Sequence, residues 1–500
     1  MSKPNILIFM SDQHNPNVMG CAGDPIIRTP NMDRLAEEGM RFDRCYTAAP
    51  ICVPARMSFM SGRRPNENNV NDNTDMLSSS ILCWPARLRQ AGYHHALIGR
   101  MHFEGPDQWH GFEKTYEDLR HWRGNMAVRN QEESEAVPAW SYWSPRESVI
   151  DLSGHGTTFV NHRDEVVTER GLQFLKEQQD EDRPFAAVIG LYNPHPPYVG
   201  EKELHNYYYD RVKVSTEKLS DMPDYLRDYA SLYHNWENPE PIPEEDQRRA
   251  LAAYYANCEL IDRQLGRVLT EIDRLGIADN TLVIYCSDHG DMIGRKGAWG
   301  KEFFYDDSVR IPMIMRLPGT IPAATSTKRN CNLRNLGNTF CDLAGADPLQ
   351  GSDACSILPV MTGREEDCPD VTESEVFRGP TCFGQDKSAA IKMVCHGPWK
   401  LWCYAIEGQD LHYSLFNLDE DPDELNDRIA DESLSALKAE LKEHLHQGWD
   451  YEQIRRNTLR RQANRRETDK VWSTHWQHCG YDVPADLSND VVTPHTQSSK

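Results

Sequence analysis

Acidic, amide and imidazole side chains follow two apolar segments that are typical of β-strands. Ser11-Asp12-Gln13 closes the first segment, and Asp288-His289 follows the apolar residues 281–286. Carboxylate and amide oxygens with one ring nitrogen are a donor set that can hold a divalent cation. Taken alone, each cluster is also explained by a turn that an aspartate caps. The metal interpretation therefore requires a fold that brings the two clusters together.

A second group of chemically capable residues is the segment Cys52-Val53-Pro54-Ala55-Arg56. One interpretation is a buried structural cysteine before a helix, which is the usual environment of this residue. The helix that Pro54-Ala55-Arg56 opens would also present free N–H groups, and Arg56 would add a fixed positive charge, so an anion could bind there. A nucleophile at position 52 would then lie beside the anion.

The elements that must position these residues alternate between short apolar strands and amphipathic helices. This alternation predicts an α/β fold with a mixed, mostly parallel sheet sandwiched by helices over residues 1–365. Active sites of such sheets lie beyond the carboxyl ends of the strands, which is where both clusters fall. The predicted strands here are Asn5–Met10, His95–Ile98, Phe185–Leu191, Thr281–Cys286 and Ile311–Arg316. The predicted helices are Asn31–Glu38, Ile81–Ala91, Arg163–Gln179 and Glu244–Leu275, the last ended by Gly276.

After residue 365 the pattern changes to consecutive antiparallel strands followed by helices. We expect a smaller C-terminal α+β domain over residues 366–466, and a polar tail over residues 467–500. The tail carries Trp472, Trp476 and Tyr481, which favours docking on the core or on another subunit. The strands predicted here are Ala389–Cys395, Lys400–Ala405 and Ser414–Leu418, and the helices are Leu434–His446 and Tyr451–Gln462.

Charge and composition exclude several classes of protein. The 500 residues contain 54 Lys and Arg against 77 Asp and Glu, a formal net charge of −23, so a nucleic-acid or anionic-membrane binder is not expected. The sequence shows no apolar segment of the length that a leader or a membrane span needs, which predicts a cytoplasmic protein.

Three arginine pairs mark the last predicted helix. They predict a solvated face or a contact with an acidic neighbouring subunit in a homo-oligomer. The pairs are Arg455-Arg456, Arg460-Arg461 and Arg465-Arg466.

The segment around Cys52 resembles the signature of the type I sulfatases of the alkaline phosphatase superfamily. Cys52-Val53-Pro54-Ala55-Arg56 followed by Ser61-Gly62-Arg63 matches the pattern Cys-x-Pro-x-Arg, then a small residue, Gly and Arg. The resemblance extends over about the first 320 residues and continues into the second domain. Its further marks are residues 29–35, Asn193-Pro194-His195-Pro196-Pro197-Tyr198 and Gly300-Lys301.

This resemblance implies a sulfate monoester hydrolase with one divalent cation and a modified cysteine. A maturation enzyme would oxidise Cys52 to formylglycine, whose hydrated form attacks sulfur, giving a sulfated enzyme and then free sulfate. The implied metal ligands are Asp12, Gln13, Asp288 and His289, with position 52 completing the set. Gln13 and His289 depart from the commonest pairs but are similar to the choline sulfatase and phosphonate monoester hydrolase branch. We expect Ca²⁺, with Mn²⁺ as the alternative because of the nitrogen ligand.

The resemblance also implies the groups that would contact the sulfuryl oxygens and move protons. Arg56 and Lys301 would stabilise the sulfuryl oxygens, and His195 with Lys301 would contact the leaving group. His102 would assist sulfate release. Arg100 replaces the lysine of a Gly-Lys-x-His motif and cannot donate a proton, although it could still bind a sulfuryl oxygen.

The substrate implied is a small-molecule or oligosaccharide sulfate ester. Residues 102–113 and 287–294 look much like the choline sulfatases, whereas the aromatic segment that follows in that group is replaced by one carrying Trp122, Trp140, Tyr142 and Trp143. These rings could surround a quaternary ammonium, stack on a sugar or pack in the core. Two other functions stay open: a phosphonate monoester or phosphodiester hydrolase, and a binding protein with unmodified Cys52.

Overall fold

The apolar run that begins at Asn5 forms the middle of an eight-stranded sheet. The structure, a computed structural model, describes residues 3–116, 128–129, 147–234, 242–379 and 387–478. Its strands are β1 (Asn5–Asp12), β2 (Met40–Phe42), β3 (Cys45–Tyr46), β4 (His94–Gly99), β5 (Lys114–Tyr116), β6 (Val128–Arg129), β7 (Gly154–His155), β8 (Thr157–Thr158), β9 (Phe185–Pro194), β10 (Val199–Gly200), β11 (Thr281–Ser287), β12 (Met313–Arg316), β13 (Thr325–Thr327), β14 (Cys331–Asn332), β15 (Val371–Arg378), β16 (Ala389–His396), β17 (Trp399–Ile406) and β18 (His412–Asn417).

Helices cover both faces of this sheet and fill the connections between its strands. They are α1 (Pro30–Glu37), α2 (Cys52–Ser61), α3 (Pro65–Asn68), α4 (Trp84–Gln90), α5 (Phe159–Glu177), α6 (Lys202–Tyr209), α7 (Asp224–His234), α8 (Glu244–Arg274), α9 (Asp306–Val309), α10 (Asn335–Ala344), α11 (Leu358–Met361), α12 (Ser435–His446) and α13 (Tyr451–His478). Within the described ranges, no helix is both long and apolar enough to cross a membrane.

The large sheet has the strand order β13-β2-β12-β11-β1-β9-β4-β5. The pairs β1–β11, β1–β9, β4–β9, β4–β5 and β2–β13 are parallel, whereas β12 runs antiparallel to β11 and β2. The prediction of a mixed, mostly parallel sheet is therefore confirmed. Because its central strands are parallel and adjacent, their carboxyl ends meet at one edge.

Alternate residues of the central strands enter two separate hydrophobic cores. On one face Leu7 and Phe9 pack with α1, α5 and α8, and on the other face Ile6 and Ile8 pack with α2, α4 and α10. Burial on both faces explains why these strands are nearly continuous apolar runs. Helix α8 ends at Arg274, one residue before the predicted Leu275, and Gly276 follows with a φ of 68°, in the left-handed region that favours glycine.

A four-stranded antiparallel sheet, in the order β15-β16-β17-β18, follows in the C-terminal part. One of its faces packs against the first part of the chain, with Trp402 and Tyr404 beside Phe304 and Tyr305. The other face is covered by α12 and α13. The antiparallel sheet of the predicted C-terminal α+β region is thus confirmed, while the predicted domain boundaries stay predictions.

Several elements differ from the sequence prediction. Strand β15 was not predicted, because charged residues interrupt it; the structure pairs Glu373 with Lys392 of β16 at 3.0 Å and buries both strands. Helices α6, α7 and α10 were also not predicted. The last helix ends at His478, beyond the predicted Gln462, and crosses the predicted boundary at residue 467. The helix beginning at Pro54 begins instead at Cys52.

Gly190 in β9 permits the closest approach between the strands that lead to the site. The Arg100 N–H donates to the Gly190 carbonyl oxygen at 2.7 Å, and a Cβ atom at position 190 would lie 2.0 Å from the Arg100 carbonyl oxygen. Any side chain at residue 190 must therefore displace Arg100.

We expect Gly190→Ala to lower the melting temperature by more than Gly319→Ala, and to reduce hydrolysis of the ester that the resemblance implies by roughly tenfold or more, because the segment carrying Arg100 is displaced. Gly319 has a φ of 74° but open space around its Cβ position, so its substitution carries only the backbone cost of about 1–2 kcal/mol. Thermal unfolding and steady-state kinetics measure both effects. Equal losses in the two variants would contradict the steric argument.

Candidate active site

The two polar clusters predicted at strand ends lie together at the carboxyl edge of the large sheet. Ser11 at the end of β1 pairs with Ser287 at the end of β11, so Asp12 and Asp288 are brought side by side. Gly99 at the end of β4 pairs with Gly190 of β9, which brings the segments carrying Arg100, His102 and His195 to the same edge.

Four predicted metal ligands form a single buried cluster. One donor atom from each of Asp12, Cys52, Asp288 and His289 lies within 4.8 Å of the others. The His289 Nε2 atom is 3.8 Å from Asp12 Oδ1 and 3.7 Å from Asp288 Oδ1. Its Nδ1–H donates to the Gly290 carbonyl oxygen at 2.9 Å, so the lone pair of the neutral ring is on Nε2 and faces the cluster.

Gln13 has a buried side-chain oxygen that fits a cation ligand. Its Nε2 donates to Asp291 Oδ2 at 2.5 Å, which fixes the amide, and within the described part of the chain Oε1 has no hydrogen-bond partner. A buried polar atom without a partner is costly unless an ion or water meets it. The Gln13 backbone has a φ of 69° and is held by hydrogen bonds to Asp288 and Tyr254.

Cys52 is the first residue of α2 and is surrounded by groups that favour its anion. Its Sγ is 3.0 Å from Lys301 Nζ, 3.2 Å from His289 Nε2 and 3.6 Å from Asp12 Oδ1. Burial and the charge of Asp12 oppose ionisation of the thiol, but Lys301 and His289 lower the pKa of Cys52 below its usual value. The positive end of the α2 dipole acts in the same direction. Position 52 therefore suits a nucleophile better than a structural thiol.

Arg56 is placed differently from the sequence expectation that it contacts sulfuryl oxygens. It is fully buried, and its Nε donates to Asp288 Oδ2 at 2.8 Å while an Nη donates to Asp12 Oδ2 at 3.0 Å. The remaining Nη donates to the Arg100 carbonyl oxygen at 3.0 Å. Each guanidinium nitrogen is thus engaged by the protein, and Arg56 instead holds the two acidic residues together.

Arg100 fixes the tautomer of His102. Its Nε donates to Asp12 Oδ2 at 2.6 Å, and one Nη lies 2.8 Å from His102 Nδ1. A guanidinium has no acceptor, so Nδ1 must accept and the neutral ring carries its proton on Nε2. Burial and the charge of Arg100 hold the pKa of His102 well below its usual range. The same arginine contributes to the pKa of Asp12: burial raises it, but Arg100, His195 and Arg56 outweigh burial and lower it strongly.

His195 lies after the end of β9 and has one ring nitrogen already occupied. Its Nδ1–H donates to the Pro196 carbonyl oxygen at 2.7 Å, so Nε2 is the atom that can exchange a proton with a substrate. Burial and the charge of Lys301 hold the pKa of His195 well below its usual range. Binding of an anion beside the ring would raise that pKa and favour a proton donor.

Asp291 is a site residue to which the sequence analysis gave no role. It accepts hydrogen bonds from the Gln13 side chain, from the Tyr198 hydroxyl and, at 3.0 Å, from the Gly300 N–H. One carboxylate thus fixes a predicted metal ligand and the loop that carries Lys301. Asp291 stands three residues after Asp288 in the sequence. Its partners Gln13 and Tyr198 lie in distant segments, so the sequence alone does not reveal its role.

Glu104 and Arg465 are a second pair that the sequence analysis missed. Arg465 of α13 donates to Glu104 Oε2 at 3.3 Å, and Glu104 Oε1 is 4.0 Å from His102 Nε2. Two other arginines of the predicted basic stripe also contact this chain: Arg455 pairs with Glu407, and Arg461 with Asp75 at 3.1 Å. These three are partly buried and pair with carboxylates of this chain, whereas Arg456 and Arg460 are exposed.

The aromatic residues considered for substrate contact, and several residues of the C-terminal tail, fall outside the part of the chain that the structure describes. Trp122, Trp140, Tyr142, Trp143 and Tyr481 lie outside the described residues, as do the side chains of Trp472, Trp476 and Arg466.

Comparison with known proteins identifies the class to which this site belongs. The sulfatase family model matches residues 4–346, and the model of the N-sulphoglucosamine sulphohydrolase C-terminal region matches residues 294–450. The chain belongs to the sulfatase family and is a sulfuric ester hydrolase, so the resemblance seen in the sequence is confirmed.

Individual relatives agree with this assignment. The chain is 32% identical over 439 residues to a choline-sulfatase of Rhizobium meliloti, covering 85% of this chain and 82% of that protein. It is 26% identical over 417 residues to an N-acetylglucosamine-6-O-sulfatase of Bacteroides thetaiotaomicron, covering 72% and 71%.

Solved structures share the fold. A phosphonate monoester hydrolase of Agrobacterium radiobacter has a TM-score of 0.70 at 21% identity, covering 88% of this chain and 94% of that one. A protein solved in complex with its substrate D-glucosamine-2-N,6-O-disulfate has a TM-score of 0.66 at 21% identity, covering 89% and 97%.

We expect Arg56→Ala to lower the free energy of unfolding by about 3–5 kcal/mol, because it leaves two buried carboxylates without their shared partner. Arg34→Ala is the matched control, since Arg34 makes ion pairs at a more exposed position and its loss costs at most ~1 kcal/mol. Chemical denaturation in Ca²⁺-free buffer gives both values. Similar costs for the two variants would contradict the structural role of Arg56.

We expect Arg465→Met to move the acidic limb of kcat/KM to higher pH. Loss of the arginine removes one positive charge from beside the Glu104 carboxylate, whose negative charge then stabilises protonated His102 more strongly and removes the neutral form over a wider pH range. Arg456→Met, on the exposed side of the same helix, is expected to leave the profile unchanged. An unaltered profile in the Arg465 variant would show that Glu104 does not influence His102.

Proposed function

We propose that this chain hydrolyses the O-sulfate monoester of a small alcohol or sugar to the alcohol and inorganic sulfate, using a formylglycine made from Cys52. The observation that carries the proposal is the environment of position 52, at the start of a helix and within 3.0 Å of Lys301 Nζ and 3.2 Å of His289 Nε2. A nucleophile there faces the Lys301 ammonium and lies at the positive end of the α2 dipole, which favours an anionic ester.

The residues fit one divalent cation beside this position. Asp12, Gln13, Asp288 and His289 would hold it, the unpartnered Gln13 oxygen being the strongest support, with residue 52 completing the set. When bound, the cation supplies positive charge that favours an ionised nucleophile and neutralises the sulfuryl oxygens. Three oxygen donors favour Ca²⁺, and the imidazole keeps Mn²⁺ as the alternative.

The nucleophile depends on a maturation enzyme that oxidises Cys52. Formylglycine hydrates to a pair of hydroxyl groups, of which one attacks sulfur and the other later expels sulfate. Lys301 Nζ would bind the sulfuryl oxygens and stabilise the charge that develops on them. The N–H groups expected to be free at the start of α2 are engaged within the protein, since the Val53 N–H donates to Asn73 Oδ1, Pro54 has none and the Ala55 N–H donates to the Ile51 carbonyl oxygen. Arg100 would orient His102 and could bind a further sulfuryl oxygen.

Two histidines would divide the proton transfers. His195 Nε2, protonated once the anion is bound, would donate to the leaving oxygen, since its Nδ1–H is held by Pro196. His102 lies on the other strand end with Nε2 facing Glu104, and would take part in sulfate release. To act as the base of that step at Nε2, His102 would have to carry its ring proton on Nδ1 instead, which requires the Arg100 contact to Nδ1 to break.

The alcohol half of the substrate is proposed from the relatives. Two of them are named for the sulfate ester of choline and for the 6-O-sulfate of N-acetylglucosamine. We propose a substrate of this size, available inside the cell, rather than an extracellular polymer. The phosphonate monoester hydrolase fold keeps a phosphorus ester as the second candidate.

The first experiment measures kcat/KM on choline sulfate, an aryl sulfate, 6-sulfated N-acetylglucosamine and an aryl phosphonate monoester, with mass analysis of the Cys52 peptide in the same sample. We expect one of the sulfate esters to be the best substrate and Cys52→Ala to be inactive. If the phosphonate is preferred while Cys52 is fully converted, the sulfate assignment is wrong and the site assignment stands.

Lys301→Ala is expected to reduce kcat by roughly 10²–10³, the loss typical of one donor that stabilises transition-state charge. Lys328→Ala is the control, because Lys328 pairs with Asp419 at an exposed position. Steady-state kinetics on the best ester distinguishes the two. A change in KM alone for the Lys301 variant would reduce its role to substrate binding.

A further inference from the structure

A second group of metal-binding side chains lies on the surface of the C-terminal sheet. His396 is the last residue of β16, and Glu440 and His444 lie one turn apart on α12. One donor atom from each lies within 4.8 Å of the other two, and none of the three belongs to the candidate active site. We propose that these residues form a separate binding site for Zn²⁺ or a similar borderline transition-metal ion.

The distances suit such an ion. In a tetrahedral zinc site with metal–ligand distances of about 2.0–2.1 Å, neighbouring ligand atoms are about 3.3 Å apart. His396 Nδ1 and Glu440 Oε1 are already 3.3 Å apart. The rings of His396 and His444 are 5.9 Å apart between centroids and inclined at 61°, so they meet at an angle instead of stacking. A donor nitrogen of His444 lies within 4.8 Å of the donor atoms of His396 and Glu440.

Packing does not require this cluster. Helix α12 is docked on the sheet by the buried side chains of Leu441 and Leu445. The side chains of His396 and Glu440 are 42% and 53% exposed. They can therefore reorient at little cost, and the fourth coordination position is open to water.

The donor set separates this site from the one at the carboxyl edge of the large sheet. Two imidazoles and one carboxylate favour Zn²⁺, Ni²⁺ or Cu²⁺, whereas the proposed active-site ligands are mostly oxygens that favour Ca²⁺ or Mn²⁺. The bound ion would join the end of β16 to the last turns of α12. Binding to the folded chain alone would raise its stability in proportion to the logarithm of the ion concentration.

The test is a titration of the full-length, Ca²⁺-saturated protein with ZnCl₂, followed by calorimetry and thermal unfolding. We expect one Zn²⁺ to bind and raise the melting temperature, and His396→Ala, Glu440→Gln and His444→Ala each to weaken binding more than about tenfold. Losing even a residue that only orients a metal ligand costs roughly 10- to 100-fold in affinity. His162→Ala, which removes an exposed histidine from α5, should bind as the wild type does.

Co²⁺ provides a readout that does not depend on stability or activity. Replacing Zn²⁺ by Co²⁺ should give the visible absorption of a four-coordinate ion in the wild-type protein, and His444→Ala should lose it. Zn²⁺ binding that survives the three ligand variants, or that disappears instead in Asp288→Ala, would overturn the proposal. Absence of any Zn²⁺ binding to the wild-type protein would overturn it equally.

Discussion

The buried contact of one arginine with two aspartates holds the active-site edge of this molecule together. Arg56 bridges Asp12 at the end of β1 and Asp288 after the end of β11, and all three side chains are excluded from solvent. Without the arginine, two adjacent carboxylates would be buried with like charge, at a cost that neither sheet nor helix packing could easily offset. Arg56 on α2 is the partner that the two carboxylates share, and Arg100 adds a second counter-charge to Asp12.

Other features of the site depend on that arrangement. Arg56 also donates to the Arg100 carbonyl oxygen, and Gly190 makes room for that carbonyl. Arg100 in turn binds the same Asp12 oxygen and sets the tautomer of His102. Helix α2 carries Cys52 at its first residue and Arg56 one turn later. The position of this one helix therefore places both the proposed nucleophile and the ion pairs with Asp12 and Asp288. One continuous network of polar contacts therefore joins Asp12 and Asp288 at the strand ends, Arg56 on α2, and Arg100 with His102.

The sequence allowed the sheet, the strand-end clusters and the Cys52 segment to be predicted, because each is a local pattern. The partners of these residues were not predictable in the same way. Arg56 meets a carboxylate 232 positions later, and Arg465 meets one 361 positions earlier, so only the three-dimensional fold reveals them. The adjacent arginine pairs predict a solvated face or a subunit contact, whereas the helical period of α13 turns Arg455, Arg461 and Arg465 toward carboxylates of this chain and leaves Arg456 and Arg460 exposed. Strand β15 was not predicted because its charged residues break the apolar pattern of a buried strand. One of them, Glu373, is paired with Lys392 on the neighbouring strand β16.

The burial of Cys52 bears on the order of events during synthesis. The residue is 1% exposed in the folded chain, and part of its enclosure comes from His289 and Lys301, which follow it by 237 and 249 positions. A ribosome therefore releases the Cys52 segment long before the residues that close over it exist. If Cys52 is modified as proposed, the modifying enzyme would have access to an extended peptide in that interval and would lose it once β11 pairs with β1. The fraction of modified molecules would then depend on the rate of modification relative to the rate of folding.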